Sequence, residues 1–183
     1  QDLGWQVING PVIAPDGEAP ERADYSAVLL VERLRRAVAT LSPDLGSEAI
    51  DEVVRKVHGS TGPSLVAVNR EIHRMVVDGV PVEVRRADGS TGYVQARLID
   101  FDDMEANDWL VANQYSVKDG DHVRRPDVVV FVNGIPLAVF ELKNAADAQA
   151  DINQAFRQLQ TYKSQIPSLM RFSEVLVVSD GLV

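Results

Sequence analysis

Hydrophobic positions recur with a helical period in the first part of the chain and with an alternating period after Gly79. Apolar residues three or four apart fall on one side of a helix, whereas alternating ones fall on one face of a strand. The pattern predicts these elements, in chain order: an extended segment over 1–22 that can hold one short strand, helices over about 25–41, 47–58 and 63–78, strands at 80–84 and 93–99, and a third strand led by residues 109–112.

The second half of the chain is built around the stretch 125–143. It contains two strongly apolar segments joined by Asn133-Gly134, a pair of residues that favours the tight turn of a β-hairpin. A polar loop over 118–125 is predicted before it, and a helix from Asn144 to about Lys163, stopped by Pro167, after it. A final strand is predicted at 175–178. We therefore expect an α/β fold in which a mixed central sheet, with a site at one edge, is flanked by helices on both faces.

Length and composition are those of one ordinary globular domain, at 183 residues with 45% hydrophobic and 25% charged side chains. We expect a single domain over 1–183, mainly helical over 1–80 and with the sheet over 81–183, as a fragment of a longer chain. The absence of cysteine excludes disulfides and thiolate metal sites, and suits the cytoplasm. No apolar run is long enough to span a membrane.

Three ionisable residues interrupt the apolar stretch: Asp127, Glu141 and Lys143. Charges within such strands are costly unless they are paired or serve a purpose. Glu141 and Lys143 are two residues apart, so both side chains point to one face of a strand while Leu142 points to the other. Two acids and a lysine beside a packed sheet can form a pocket for a hard divalent cation and a water molecule.

These residues also carry a resemblance to a known family. Pro126-Asp127 followed by Glu141-Leu142-Lys143 resembles the P-D…(D/E)-x-K signature of a large nuclease superfamily, and Gln158 with Tyr162 is similar to its Q-x-x-x-Y motif. Further short motifs around this signature resemble, more narrowly, the N-terminal nuclease domain of the R (motor and endonuclease) subunit of type I restriction enzymes. These motifs are Asn107-Asp108, Val111-Ala-Asn-Gln-Tyr115, Arg124-Arg125 and Val178-Ser-Asp-Gly181.

The resemblance implies a restriction-endonuclease-like core and a Mg²⁺-dependent endonuclease that cleaves double-stranded DNA. Asp127, Glu141 and the carbonyl of Leu142 would hold the metal. Lys143 would touch the scissile phosphate or the attacking water. Gln158 and Tyr162 would orient a phosphate or a metal-bound water.

The family's other parts are expected outside this sequence. ATP would be used only by the motor, because no phosphate-binding loop of the G-x-x-x-x-G-K-[ST] type is present. Methylation and specificity subunits would be partners, and the main grip on DNA would lie elsewhere, which agrees with a net charge of −9. Family nucleases usually carry a further acid on an upstream helix, expected here before Leu3-Gly-Trp5.

Several alternatives remain open from the sequence. Lys143 could form a structural salt bridge with a carboxylate, and Gln158 and Tyr162 could lie on an ordinary polar helix face. Arg124 and Arg125 could contact phosphates or belong to a solvated loop. The chain could be a stand-alone or repair-type nuclease, or a non-catalytic docking module that retains the fold.

The metal-site hypothesis makes a geometric prediction. In a regular hairpin with a two-residue turn at Asn133-Gly134, Asp127 would stand opposite Phe140, and Glu141 would point to the other face. A shared site therefore requires an offset of one residue, either from an odd-numbered loop or from a β-bulge. Pro136, which has no N–H for the ladder, makes a bulge or an edge position plausible.

Overall fold

The computed structural model describes residues 4–85, 89–143 and 152–179. Within these residues, five α-helices and nine strands follow one another along the chain, with two short 3-10 helices at Gly10–Ile13 and Met104–Ala106. They are β1 (Gln6–Asn9), α1 (Val31–Leu41), α2 (Ser47–Gly59), α3 (Leu65–Asp78), β2 (Val80–Arg85), β3 (Thr91–Ala96), β4 (Trp109–Asn113), β5 (Val117–Asp119), β6 (His122–Arg124), β7 (Val128–Val132), β8 (Ile135–Leu142), α4 (Ile152–Gln165), α5 (Pro167–Met170) and β9 (Val175–Ser179).

A mixed five-stranded sheet in the order β1-β4-β7-β8-β9 forms the centre of the molecule. The middle strands β4, β7 and β8 are antiparallel, while β1 runs parallel to β4 and β9 runs parallel to β8. With helices flanking the sheet, the predicted α/β class is confirmed, and the fold is compatible with a restriction-endonuclease-like core. The hairpin β7–β8 is interior, so its charged residues lie at the ends of two inner strands and not on an edge strand.

The first helix begins six residues later than predicted, at Val31. Val28, Leu29 and Leu30 are all buried, which a helix with one apolar side would not achieve for three consecutive residues. They instead form a non-helical segment, and the Leu30 N–H donates to the carbonyl of Gly134 at 3.0 Å. The hairpin turn thus delays the start of α1.

The predicted polar loop at 118–125 is wrong, because most of it is a small separate hairpin, β5–β6. Its strands have three residues each, too short to give a readable alternation. The hairpin is fixed from outside: the Ser168 N–H donates to Asp119 Oδ2 at 2.9 Å, and Arg124 Nε donates to Gln165 Oε1 at 2.6 Å. Tertiary contacts therefore create structure where the local sequence shows only polarity.

The helices cover the two faces of the central sheet. On one face, α4 packs against β8 and β9. On the other, α3 borders the hairpin, and its Val76 and Val77 line one cavity together with Val130 and Phe140. The predicted start of the α4 helix, from Asn144 to residue 151, lies outside the described residues. No helix in the described part of the chain is both long and apolar enough to cross a membrane.

Candidate active site

The hairpin β7–β8 has a two-residue turn and a β-bulge. Val132 pairs with Ile135 across Asn133-Gly134, whose positive φ angles of 53° and 80° are those of a tight hairpin turn. The register then shifts between Val130 and Phe131. Phe131 pairs with Pro136 while Val130 pairs with Ala138, so that Leu137 is the extra residue of the bulge.

The bulge places the two acids together. Beyond it Val128 pairs with Phe140, and the next opposed positions are Asp127 and Glu141, on one face of the sheet. The predicted one-residue offset is therefore confirmed, and it comes from a bulge beside Pro136 and not from the loop.

Asp127 is held from several directions at the start of β7. Its Oδ2 accepts a hydrogen bond from the Leu142 N–H at 2.8 Å, and its main-chain carbonyl accepts one from the Gln114 N–H, also at 2.8 Å. Gln114 Nε2 lies 3.5 Å from Asp127 Oδ1. Since the N–H and C=O of one residue in a strand point to the same side, the Leu142 carbonyl also faces this end of β7.

Glu141 is almost completely buried, with 2% of its surface exposed. Its Oε2 accepts a hydrogen bond from the Tyr162 hydroxyl at 3.0 Å, and Lys143 Nζ lies 3.7 Å from its Oε1. Burial first, and then the negative charge of Asp127, raise the pKa of Glu141 from 4.5 to about 7. The pair of acids is therefore short of positive charge near neutral pH.

Helix α4 brings two further side chains to the same place. Lys143 Nζ donates to Gln158 Oε1 at 3.1 Å, and Gln158 Nε2 donates to the Tyr162 hydroxyl at 2.7 Å. Together with the Tyr162–Glu141 bond, these form an unbroken chain of hydrogen bonds from the lysine to the buried acid. Burial raises the pKa of Tyr162, so its hydroxyl keeps its proton and remains a donor.

All six residues predicted for the site thus lie in one cluster: Asp127, Glu141, Leu142, Lys143, Gln158 and Tyr162. In the described part of the chain no group of three or more histidine, aspartate or glutamate side chains is arranged to bind a metal ion. The site offers two adjacent carboxylates and a carbonyl, all hard oxygen ligands. This set fits Mg²⁺, which takes few protein ligands and keeps several waters.

Other residues quoted for the resemblance have different places. Asn107 and Asp108 lie near the hairpin turn, at the far end from the site. Arg124 is bonded to Gln165, whereas Arg125 is exposed. Gln114 contacts Asp127, a role that the sequence did not predict. In the sequence it is only one residue of the motif 111–115 that supports the resemblance. No periodicity in the sequence predicts the turn that brings it to the site.

Comparison with known proteins agrees with the geometry. The family model "Type I restriction enzyme R protein N terminus" matches residues 1–183. The chain is 38% identical over 184 residues to the type I restriction enzyme HindI endonuclease subunit of Haemophilus influenzae, covering 100% of this chain and 17% of that protein. It is 34% identical over 186 residues to the putative MjaIXP endonuclease subunit of Methanocaldococcus jannaschii, with the same two coverages of 100% and 17%.

The chain therefore spans about a sixth of the length of these two relatives. A Staphylococcus aureus protein, the SauMSSORF170P endonuclease subunit, is 34% identical over 113 residues, or 61% of this chain and 11% of that protein. The family model matches the whole of this chain, and so do the two relatives first named. These matches confirm the resemblance seen in the motifs: this chain belongs to the family of type I restriction enzyme R-protein N-terminal domains.

Proposed function

We propose that the chain is the Mg²⁺-dependent endonuclease module of a type I restriction enzyme R subunit and hydrolyses phosphodiester bonds of double-stranded DNA. The observation that carries the proposal is the bulged hairpin, which opposes Asp127 to Glu141. Gln158 and Tyr162 of α4 link Glu141 to Lys143 by hydrogen bonds. The whole chain would act as one nuclease domain in the cytoplasm. ATP would be used by other parts of the subunit, and the methylation and specificity subunits would be its partners.

The residues proposed to hold Mg²⁺ are Asp127, Glu141 and the Leu142 carbonyl. When bound, the ion would supply a more acidic water and would neutralise charge on the phosphate oxygens. The electrostatics of the pair agree with this assignment: burial, and then the charge of Asp127, raise the pKa of Glu141 to about 7. A divalent cation held by these residues would favour the ionised form of Glu141 and so offset the cost of placing two acids together.

Lys143 is proposed to contact the attacking water or the scissile phosphate. Its Nζ bonds to Gln158 and is 3.7 Å from Glu141, so at least one of its three N–H groups can turn towards a ligand. An ammonium group placed there stabilises the negative charge that develops on the phosphorus oxygens. Gln158 and Tyr162 hold Lys143 and Glu141 at a fixed separation, which preorganises the site.

The surface beside the site favours the approach of DNA despite the net charge of −9. The described part of α4, from Ile152 to Gln165, contains no acidic residue and carries the exposed Arg157 and Lys163. The exposed Arg125 directly precedes Pro126-Asp127. Phosphates that approach along this described part of α4 therefore meet no acidic side chain of the helix, while the main grip on the duplex would lie in other parts of the enzyme.

Substitution of the site residues tests this function. Asp127→Ala and Lys143→Ala should each lower the rate of plasmid cleavage by about a thousandfold or more, because each removes a group that acts on the reacting phosphate or its metal. The assay follows conversion of supercoiled plasmid in the assembled enzyme, with Mg²⁺ and ATP. Lys118→Ala is the matched control: it removes an exposed lysine from β5, outside α4, and should cleave normally. A Lys143→Ala enzyme that cleaves at the wild-type rate would refute the proposed mechanism.

A further inference from the structure

Gln114 has an unusual backbone for its residue type. It follows β4 with a φ of 56°, and in the described part of the chain the only other non-glycine residue with positive φ is Asn133. Asparagine adopts this left-handed region readily, and Asn133 stands in a hairpin turn that requires it. Glutamine has no such preference, so its conformation must be imposed by the surrounding structure.

Contacts on both sides of Gln114 impose this conformation. Gly10 packs so closely that a Cβ atom there would lie 2.7 Å from the carbonyl oxygens of both Asn113 and Gln114. On the other side, the buried guanidinium of Arg22 donates to the Ser116 carbonyl at 2.7 Å and lies 4.0 Å from the centre of the Tyr115 ring. The backbone from 113 to 116 is therefore fixed by two parts of the N-terminal segment.

This turn is directed at one carboxylate. The Gln114 N–H donates to the Asp127 carbonyl at 2.8 Å, and Nε2 of its side chain lies 3.5 Å from Asp127 Oδ1. Because the Leu142 N–H is bonded to Oδ2, both oxygens of Asp127 have a donor, one from each neighbouring strand region. Such outer contacts fix the orientation of a ligand and tune its affinity for a metal.

We propose that Gln114 is a positioning residue for Asp127: its left-handed backbone and its amide orient the carboxylate toward Glu141. The orienting role stands on contacts within the chain. Its consequence for cation binding rests on the proposed function.

The test uses two variants in the complete natural polypeptide that carries this chain. Gln114→Gly removes the amide and accommodates the left-handed backbone, whereas Gln114→Ala removes the amide and retains the strain. Gln160→Ala, at an exposed glutamine on α4, is the control. We expect the melting temperature of Gln114→Gly to equal or exceed that of Gln114→Ala.

The first measurement is hydrogen exchange by mass spectrometry of the peptide that contains Leu142, without divalent cations. If Gln114 holds Asp127, the Leu142 amide should exchange about tenfold faster in both variants and at the wild-type rate in the control. Unchanged exchange in both variants would overturn the proposal, whatever happens to DNA cleavage.

The second measurement is Mg²⁺ binding by calorimetry, together with the Mg²⁺ concentration that gives half-maximal cleavage. The dissociation constant for Mg²⁺ and the Mg²⁺ concentration for half-maximal cleavage should each rise about 10- to 100-fold in both variants. A purely structural role would leave Gln114→Gly, the less strained variant, with wild-type values, and this outcome would also overturn the proposal. Faster exchange at Leu142 in the variants of a protein whose wild type does not bind Mg²⁺, and whose assembled enzyme does not cleave DNA, would support the positioning role and refute the proposed function.

Discussion

The hairpin β7–β8 carries a buried ionic cluster at each of its two ends, and both clusters contain one cation and two acids. At the turn end, Arg33 lies between Glu21 and Asp108, with hydrogen bonds of 2.5 and 2.7 Å to the first and 2.9 and 3.0 Å to the second. At the open end, Lys143 lies near Asp127 and Glu141. The composition is alike, but the arrangement of charge differs.

At the turn end the cation separates the acids and bonds to both. Glu21 and Asp108 retain contact with water, and their hydrogen bonds and charges raise the pKa of Arg33. At the open end the acids face each other, and the lysine is 3.7 Å from Glu141 while it bonds to Gln158. In the first cluster the cation bonds to both acids, whereas the second has a buried acid with a raised pKa. A buried charge does not identify a site, whereas an uncompensated arrangement of charges does.

The largest expected difference between the two ends is in stability. Arg33→Met should lower the free energy of unfolding by about 3 kcal/mol, because it leaves two partly buried acids without their partner. Lys143→Met should lower it by less than about 1 kcal/mol, because Glu141 can accept a proton instead. Urea denaturation at pH 7.5 without divalent cations measures both. Equal losses would remove the distinction between a structural and a functional cluster.

The pH dependence of stability gives a second, smaller difference. The pKa of Glu141 is about 7 in the folded protein and 4.5 is its ordinary value. Below pH 4.5 the acid is protonated in both states; between 4.5 and 7 only the unfolded state ionises, so stability falls as the pH rises, and above 7 the loss is complete.

Without divalent cations, ionisation of Glu141 should therefore lower the free energy of unfolding by about 2 kcal/mol between pH 4.5 and pH 8. This is less than the full value of about 1.4 kcal/mol per pKa unit. Glu141→Gln should lack this component of the slope, and urea denaturation at several pH values measures it. Asp108→Asn, at the turn end, should leave the Glu141 component unchanged. A wild-type slope retained in Glu141→Gln would assign the effect to another group.

The smallest difference concerns DNA. Arg157→Ala, next to Gln158 on α4, should weaken cleavage about threefold at 0.1 M salt if it neutralises one phosphate. Arg36→Ala is the matched control, an exposed arginine on α1 near the turn end, and should have no effect. The comparison is made on the assembled enzyme at two salt concentrations, since a phosphate contact weakens as salt rises. Equal effects of the two changes would mean that DNA does not approach the α4 side selectively.

Much of the candidate site was predictable because it depends on local periodicity. Glu141 and Lys143 share a strand face because they are two residues apart, and Gln158 and Tyr162 share a helix face because they are four apart. The need for a one-residue offset also followed from parity. The sequence did not predict that a bulge at Leu137 supplies this offset, because a loop with an odd number of residues would also place Asp127 and Glu141 on one face.

The misplaced elements have a common cause in contacts distant along the chain. Residues 28–30 are held out of helix α1 by the turn at Gly134, and β5–β6 forms where α4 and α5 fix it. The motif Asn107-Asp108 supported the family resemblance, yet both of its side chains make contacts at the turn end of the hairpin. Asn133 Nδ2 donates to Asn107 Oδ1 at 2.8 Å, and Asp108 forms an ion pair with Arg33.

The sequence by itself determined the family, the α/β class, the hairpin and the residue types of the candidate site. Each of these depends on the spacing of residues along the chain or on the order of short motifs. The tertiary structure decided which charged cluster is balanced and which is not, and it brought Gln114 to Asp127 across 13 residues. The physical reason is that electrostatic energy depends on the separation and burial of charges, and these are fixed only when strands and helices distant in sequence pack together.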